Sequence, residues 1–364
     1  MDANQSSTNV INCDFRKRPF PIATGSDQLH VKPIPSTKRR VVLGDLTNSE
    51  DLTSTHSSDN KDNRRTISTV TANKGCEVED CVKSELSISS RPVNNRKFSV
   101  APLIYQHLHS LEVEENRRPL PNYMEKVQTD ITIGMRETLV DWLVEVADEY
   151  KLTSDTLFLT VSYIDRFLSS HPLSRNKLQL LGVSSMLVAS KFEEISPPLV
   201  EDCCYITDNT YTKEEVVQME KELLRFLNSD LTNPIPKTFL RILVRTAQGD
   251  CTPSCEYLSW FLVELSLLDY SCLRFLPSMV AASAIFVARF TLEPEKHPWG
   301  LKMQCYSGYK PSELKDCVRA IHDLQLGRRA SSSKAVREKY TQHKFKCVAA
   351  LPCPLQIPSS YLEE

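Results

Sequence analysis

Residues 177–195 read KLQLLGVSSMLVASKFEEI, an apolar run of helical length with Ser174 in front of it and Pro197 and Pro198 behind it. The run is too long for a strand, and a proline pair ends a helix because proline lacks an N–H and clashes with the preceding turn. Gly182, Ser185 and Ala189 recur at i, i+3 and i+7, so small residues share one narrow face of a helix that is otherwise apolar all round. Such a helix belongs in the middle of a bundle, with neighbours close on every side. The fold class this implies is all-α.

Working outward, MRETLVDWLVEVADEY (135–150) has helical period, and cap-like Thr153, Ser154 and Asp155 introduce a second helix that runs through YIDRFLSS (163–170). Beyond the proline pair, Thr212 and Glu215 form a capping box ahead of EVVQMEKELLRFL (215–227), and Pro236 in a first-turn position opens KTFLRILVRTAQ (237–248). On this count five helices make the first unit. The theme then returns in EYLSWFLVELSLLDYS (256–271), SMVAASAIFVARFTL (278–292), SELKDCVRAIHDLQLG (312–327) and AVREKYTQHKF (335–345). The second of these carries Ala281, Ala282, Ser283, Ala284 and Ala288, the counterpart of the small-residue face in 177–195, which suggests a duplicated bundle.

Composition restricts the function. The 364 residues are 41% hydrophobic, enough for two cores, and the net charge of -2 supplies no basic field to hold nucleic acid or an anionic membrane. No apolar run reaches the roughly 18 residues of a spanning helix, and the start MDANQSSTNV lacks signal-peptide character, so a nuclear and cytoplasmic location is expected. Twelve cysteines, including adjacent Cys203 and Cys204 and the pair Cys251 and Cys255, have no metal-ligand spacing. There is no GxGxxG or GxxxxGK loop; no metal or cofactor is expected. Residues 1–95, rich in Ser, Thr, Asn, Asp and Lys and without period, read as a disordered arm.

Four charges fall on apolar faces. Projection at about 100° per residue puts Arg136 in the middle of an arc with Met135, Leu139, Val140, Trp142, Leu143 and Val146. Asp165 lies between Val161 and Phe158, Glu220 inside the stripe of Val216, Met219, Leu223, Leu224 and Leu227, and Lys191 beside Leu180 and Leu187. A lone buried charge costs several kcal/mol, so these four must neutralise one another or meet a partner. Two readings stay open: two buried ion pairs that fix helix register, or a docking site in which Lys191 and Glu220 capture another protein's backbone. With no nucleophile, no nearby His and no phosphate loop, catalysis is not expected.

The segments MRETLVDWLVEVADEYKL (135–152), YIDRFLSS, LQLLGVSSMLVASKFEEI (178–195), YITDNTYTKEEVVQME (205–220) and the closing VREKYTQHKFKCVA (336–349) resemble A-type cyclins, in order and with the family's spacing over about 100–350. The wording is most like a plant A-type cyclin. The resemblance implies two consecutive five-helix cyclin folds, 100–232 and 233–350, after the arm and before a flexible tail, 351–364. It implies a non-enzymatic subunit that binds and activates a cyclin-dependent kinase.

Residue by residue, it implies that Arg136 and Asp165 pair internally, and that Lys191 and Glu220 bind the kinase's regulatory helix, bordered by Phe192, Glu193, Glu194 and Ile195. Leu180 matches a position that packs the fold. It implies a substrate-docking groove of Met135, Leu139, Trp142, Glu145 and Gln179 for Arg-x-Leu segments of substrates and inhibitors; on the pattern alone Met135, Leu139 and Trp142 read as core. Ser229 stands where the family usually has an aromatic beside the kinase. In the arm, Arg40, Leu43 and Asn48 of RRVVLGDLTN (39–48) match the destruction box read by mitotic ubiquitin ligases, with Lys32, Lys38 and Lys61 as acceptors. The basic runs Arg16 to Arg18 and Lys38 to Arg40 read as import signals or solvated chain. The rivals are a cyclin-fold transcription protein, which would need a basic face that 44 Lys and Arg against 46 Asp and Glu do not offer, and a scaffold that activates no kinase.

Overall fold

The computed structural model describes residues 101–246, 251–330 and 333–363, and all regular elements among them are helices. The arm 1–95, with Arg40, Leu43 and Asn48, lies outside the described residues. The helices are α1 (Ala101–Glu112), α2 (Tyr123–Lys126), α3 (Ile133–Glu149), α4 (Ser154–Leu168), α5 (Leu178–Glu193), α6 (Val200–Ile206) and α7 (Lys213–Phe226), followed by α8 (Pro236–Thr246), α9 (Pro253–Ser266), α10 (Pro277–Leu292), α11 (Leu301–Ser307), α12 (Pro311–Gln325) and α13 (Ala335–Tyr340).

Side-chain caps set the starts of several helices. Thr132 Oγ1 accepts from Met135 N (3.3 Å) and opens α3; Thr153 Oγ1 accepts from Thr156 N (3.4 Å) and opens α4. The Thr212–Glu215 box closes in both directions at α7, at 2.9 and 3.3 Å. The stretch after Ser174 differs from expectation in its first turn, which is a 3-10 turn (Arg175–Lys177) before α5 proper.

Helix α5 is central, packed chiefly on α4 and α7, and every residue from Leu180 to Ser190 is buried. Gly182 makes the close approach to α3: a Cβ there would meet Leu139 Cδ1 at 2.9 Å, inside contact distance. Helix α10 holds the same place in the second fold, surrounded by α9, α8 and α12, with residues 280–288 all buried. Each fold is therefore five helices, α3–α7 and α8–α12, wrapped around the third, and the fourth in each is a seven-residue helix. This leaves the count at five and reassigns one helix. The Pro236 helix packs on α10 and belongs to the second fold; its place among the five of the first is taken by α6, the fourth in order and too short for periodicity to reveal.

The chain crosses between its two folds at both ends. Helix α1 precedes the first fold yet packs on the second: Tyr105 OH donates to Ser307 O (3.0 Å), its ring meets Phe239 edge-on, and the buried Glu112 carboxylate accepts from Ser278 N (2.8 Å) and Oγ (2.5 Å). Helix α13 follows the second fold yet packs on α3, where the Asp141 carboxylate accepts from Lys334 N (3.2 Å) and Ala335 N (3.0 Å). Residues 351–363, expected as a flexible tail, are held down instead. His322 Nε2 bonds Pro354 O (2.8 Å), Tyr361 lies edge-on to His297, and Leu362 is buried. Their apolar and backbone groups find partners on α12 and the α10–α11 loop, which local composition does not reveal.

Lys237, in the first turn of α8, is buried with its Nζ 3.8 Å over the Trp260 ring. Burial pushes its pKa down from 10.5 to about 8, although Glu264 and Asp155 act to hold it up. A folded-state pKa below the unfolded one means that the penalty is fully present below about pH 8 and fades as pH rises towards 10.5. Unfolding free energy should therefore rise between pH 7 and pH 9.5, by about 2 kcal/mol relative to a Lys237→Met variant. Urea titrations of the two proteins that run parallel across this range would refute it.

Candidate functional site

The first charged pair is interior. Arg136 on α3 and Asp165 on α4 are each about 1% exposed, and the guanidinium grips the carboxylate at two points, Nε–Oδ1 and Nη2–Oδ2, both 2.7 Å. Tyr123 OH donates to the same Oδ1 (2.8 Å), and Arg136 Nη1 donates to Leu267 O (2.9 Å) across the junction with the second fold. Burial opposes the charge on Arg136, but the adjoining Asp165 outweighs it and holds the guanidinium pKa above its ordinary value. Burial, then Asp165, push the Tyr123 phenol well up. All groups of the pair are matched within the chain.

The second pair is different. Lys191 Nζ bonds Glu220 Oε1 at 2.5 Å, with side-chain exposures of 44% and 13%. Helical projection places Lys191 inside the bundle; it stands instead in the last turn of α5 with its side chain 44% exposed, so its ammonium reaches water. An exposed ion pair contributes about 0–1 kcal/mol to folding, too little to explain two charges by stability. Lysine has three N–H donors, and Glu220 occupies one.

Exposed apolar side chains follow Lys191 along the chain: Phe192 is 39% exposed, Ile195 is 99% and Leu199 is 65%, at and beyond the end of α5. Leu199 was missed in the sequence; the available signal was an apolar residue directly after a diproline. Glu193 is exposed, and burial of part of its side chain, then Asp155 and Glu194, raise its carboxyl pKa. Glu194 points back into the chain, where Oε1 accepts from Thr153 N (2.7 Å) and Thr156 Oγ1 (2.5 Å). It braces the start of α4, tying the edge of this surface to the bundle. Ser229 is exposed just beyond α7 with φ +58, beside Asn228 at φ +50, and Ser229 N donates to Leu224 O (3.0 Å) to close the helix.

The remaining predicted residues lie along α3 and the start of α5. Met135 and Gln179 are half-buried and Glu145 is exposed, whereas Leu139 and Trp142 are buried, at 2% and 8% exposure. Leu180 is buried in the core. Among the described residues no cluster of His, Cys, Asp and Glu could hold a metal, and no helix is long and apolar enough to cross a membrane.

Profiles described as "Cyclin, N-terminal domain" and "Cyclin, C-terminal domain" match residues 103–232 and 234–354, which contain the first and the second five-helix fold respectively. The chain belongs to the cyclin family. This cyclin is 56% identical over 286 residues to Cyclin-A3-2 of Oryza sativa subsp. japonica, covering 78% of this chain and 74% of that protein. It is 48% identical over 336 residues to Cyclin-A3-4 of Arabidopsis thaliana, 91% of each. These relatives bear out the resemblance to plant A-type cyclins. Among solved structures, a viral cyclin from herpesvirus saimiri matches with a TM-score of 0.56 and 20% identity, over 63% of this chain and 99% of that one, which supports the fold. As a cyclin, the protein is a regulatory subunit of the cyclin-dependent kinase class and not an enzyme.

Proposed function

We propose that this cyclin activates a cyclin-dependent serine/threonine kinase by capturing the kinase's regulatory helix on the surface around Lys191 and Glu220. The observation that carries this reading is an ion pair of little stabilising value set at the end of a central helix, beside exposed Phe192 and Ile195. Apolar side chains supply the area, and the spare donors of Lys191 with the carboxylate of Glu220 fix register on a partner's backbone. Phe192, Glu193, Glu194 and Ile195 form the rim. Binding the active kinase arrangement more tightly than the inactive one shifts the equilibrium, and the cyclin contributes no chemistry.

The same proposal gives Met135, Leu139, Trp142, Glu145 and Gln179 to Arg-x-Leu segments of substrates and inhibitors. Glu145 faces the arginine, and the leucine sits against the half-buried Met135 and the edge of Trp142. Arg40, Leu43 and Asn48 are assigned to a mitotic ubiquitin ligase, so that abundance is the timing signal, and the place of action to nucleus and cytoplasm. Adding the full chain to a purified, separately expressed cyclin-dependent kinase should raise histone phosphorylation by at least about tenfold. A kinase rate that stays flat across a panel of such kinases, with no complex on gel filtration, would leave a scaffold or transcription role in its place.

A further inference from the structure

A cavity of about 110 Å³ lies at the junction of the two folds. Its apolar wall takes Phe158 and Val161 from α4, Ile235 from the connection that leads into α8, Leu267 just after α9, Phe275 just before α10 and Val280 within it. Pro234 and Pro236, on either side of Ile235, fix two φ angles of that connection, so this part of the wall is set before anything binds. In size the space is of the order of the roughly 150 Å³ apolar cavity that takes benzene. It is not sealed, because Arg117, Arg118 and Pro119, which also line it, are half-buried.

The charged groups of the lining differ in how fully they are used. Arg136 and Asp165 hold each other at 2.7 Å. Arg117 bonds Glu114 Oε2 (2.8 Å), Thr232 O (2.6 Å) and Asp230 Oδ2 (2.7 Å). The Glu112 oxygens are taken up by Ser278 N and Oγ and by His109 Nδ1 (3.1 Å). Arg118 is the exception. Its Nη2 donates at 3.3 Å to Arg274 O and at 3.5 Å to Phe275 O, both long bonds. Among the described residues its Nε and Nη1 have no hydrogen-bond partner, and no carboxylate is within ion-pair distance of it. A guanidinium matches the planar, two-point geometry of a carboxylate. Apolar walls with a few polar groups that fix orientation are the make-up of a small-ligand site.

We propose that this cavity binds a small aromatic or branched aliphatic carboxylic acid. The apolar part fills the space between Phe158, Val161 and Val280, and the carboxylate takes the N–H groups that Arg118 leaves unused. A ligand there touches both folds at once, and only while they are packed together. It therefore stabilises their native arrangement by mass action, and the thermal midpoint rises with its concentration.

The test uses the full chain and para-fluorohydrocinnamate, followed by fluorine NMR, with the matching primary amide as the uncharged control. The acid should bind with a Kd of roughly 0.1–1 mM, in keeping with its few heavy atoms. The amide should bind about tenfold more weakly, since it lacks the charge-assisted bond to Arg118. Arg118→Met should make the two probes bind alike, and Val161→Phe, which places a ring inside the cavity, should abolish the binding of both. Absence of any fluorine shift or broadening up to about 10 mM acid would leave the cavity to ordered water and overturn the proposal. Equal binding of acid and amide by the wild type, or undiminished binding by Val161→Phe, overturns it as well. The comparison of acid with amide on the wild-type chain decides the matter even where the Val161 variant fails to fold.

Discussion

The double variant Lys191→Ala, Glu220→Ala is expected to lose most of its kinase activation while remaining folded. Truncating one member of a charge pair that is hydrogen-bonded across a desolvated interface costs about 2–5 kcal/mol. Even the low end applied once corresponds to about a 30-fold weaker complex. The same change costs the free cyclin about 1 kcal/mol or less, because Lys191 is 44% exposed and the pair is screened by water. The two readouts therefore separate: kinase affinity, by titration of histone phosphorylation, should fall steeply, and the thermal midpoint should move by a few degrees at most. Equal activation by variant and wild type would place the kinase elsewhere and leave Lys191 and Glu220 as surface decoration.

The reverse separation is expected at the interior pair. Asp165→Ala leaves the Arg136 guanidinium, 1% exposed, with no counter-charge and removes the acceptor of Tyr123, so unfolding free energy should fall by about 3–5 kcal/mol. Much of a domain's total stability is of that size, so the urea midpoint should drop sharply. Adding Arg136→Met to Asp165→Ala should recover part of the loss, since it removes the orphaned charge and leaves a side chain of similar length. Recovery will be incomplete, because Arg136 also ties α3 to the Leu267 carbonyl of the second fold. A double variant that is no more stable than Asp165→Ala would mean that this backbone tie, rather than the ion pair, is the dominant role of Arg136.

The sequence could anticipate these two pairs to different degrees, and the reason is geometric. Helical projection reports direction, and at Arg136 and Asp165 direction suffices, because both stand within their helices on faces that are buried, at about 1% exposure each. At Lys191 direction misleads: the residue points along the core face but stands in the last turn of α5, where its side chain is 44% exposed. The central helices were legible from their all-round apolar character and small residues, whereas α6, seven residues after a diproline, offers too few turns for a period. Leu139 and Trp142 show the limit of resemblance, which carries a role to a position but not its exposure. Contacts such as Tyr105 with Phe239, or Tyr361 with His297, join distant stretches and leave no local trace.

The location of α1 has a further consequence for biosynthesis. Tyr105 bonds a carbonyl 202 residues further along the chain, and Glu112 bonds a serine 166 residues away. At roughly 5–20 residues per second, the ribosome makes α1 on the order of 10–40 s before its partner surface has been synthesised. Throughout that interval the first fold can assemble while Tyr105 and the Glu112 carboxylate wait without their docking site, exposed to chaperones and proteases. The return of this early helix to the late-made half then has to follow synthesis of that half, and a nascent chain stalled after the first fold would be recognisable by an α1 that has nowhere to bind.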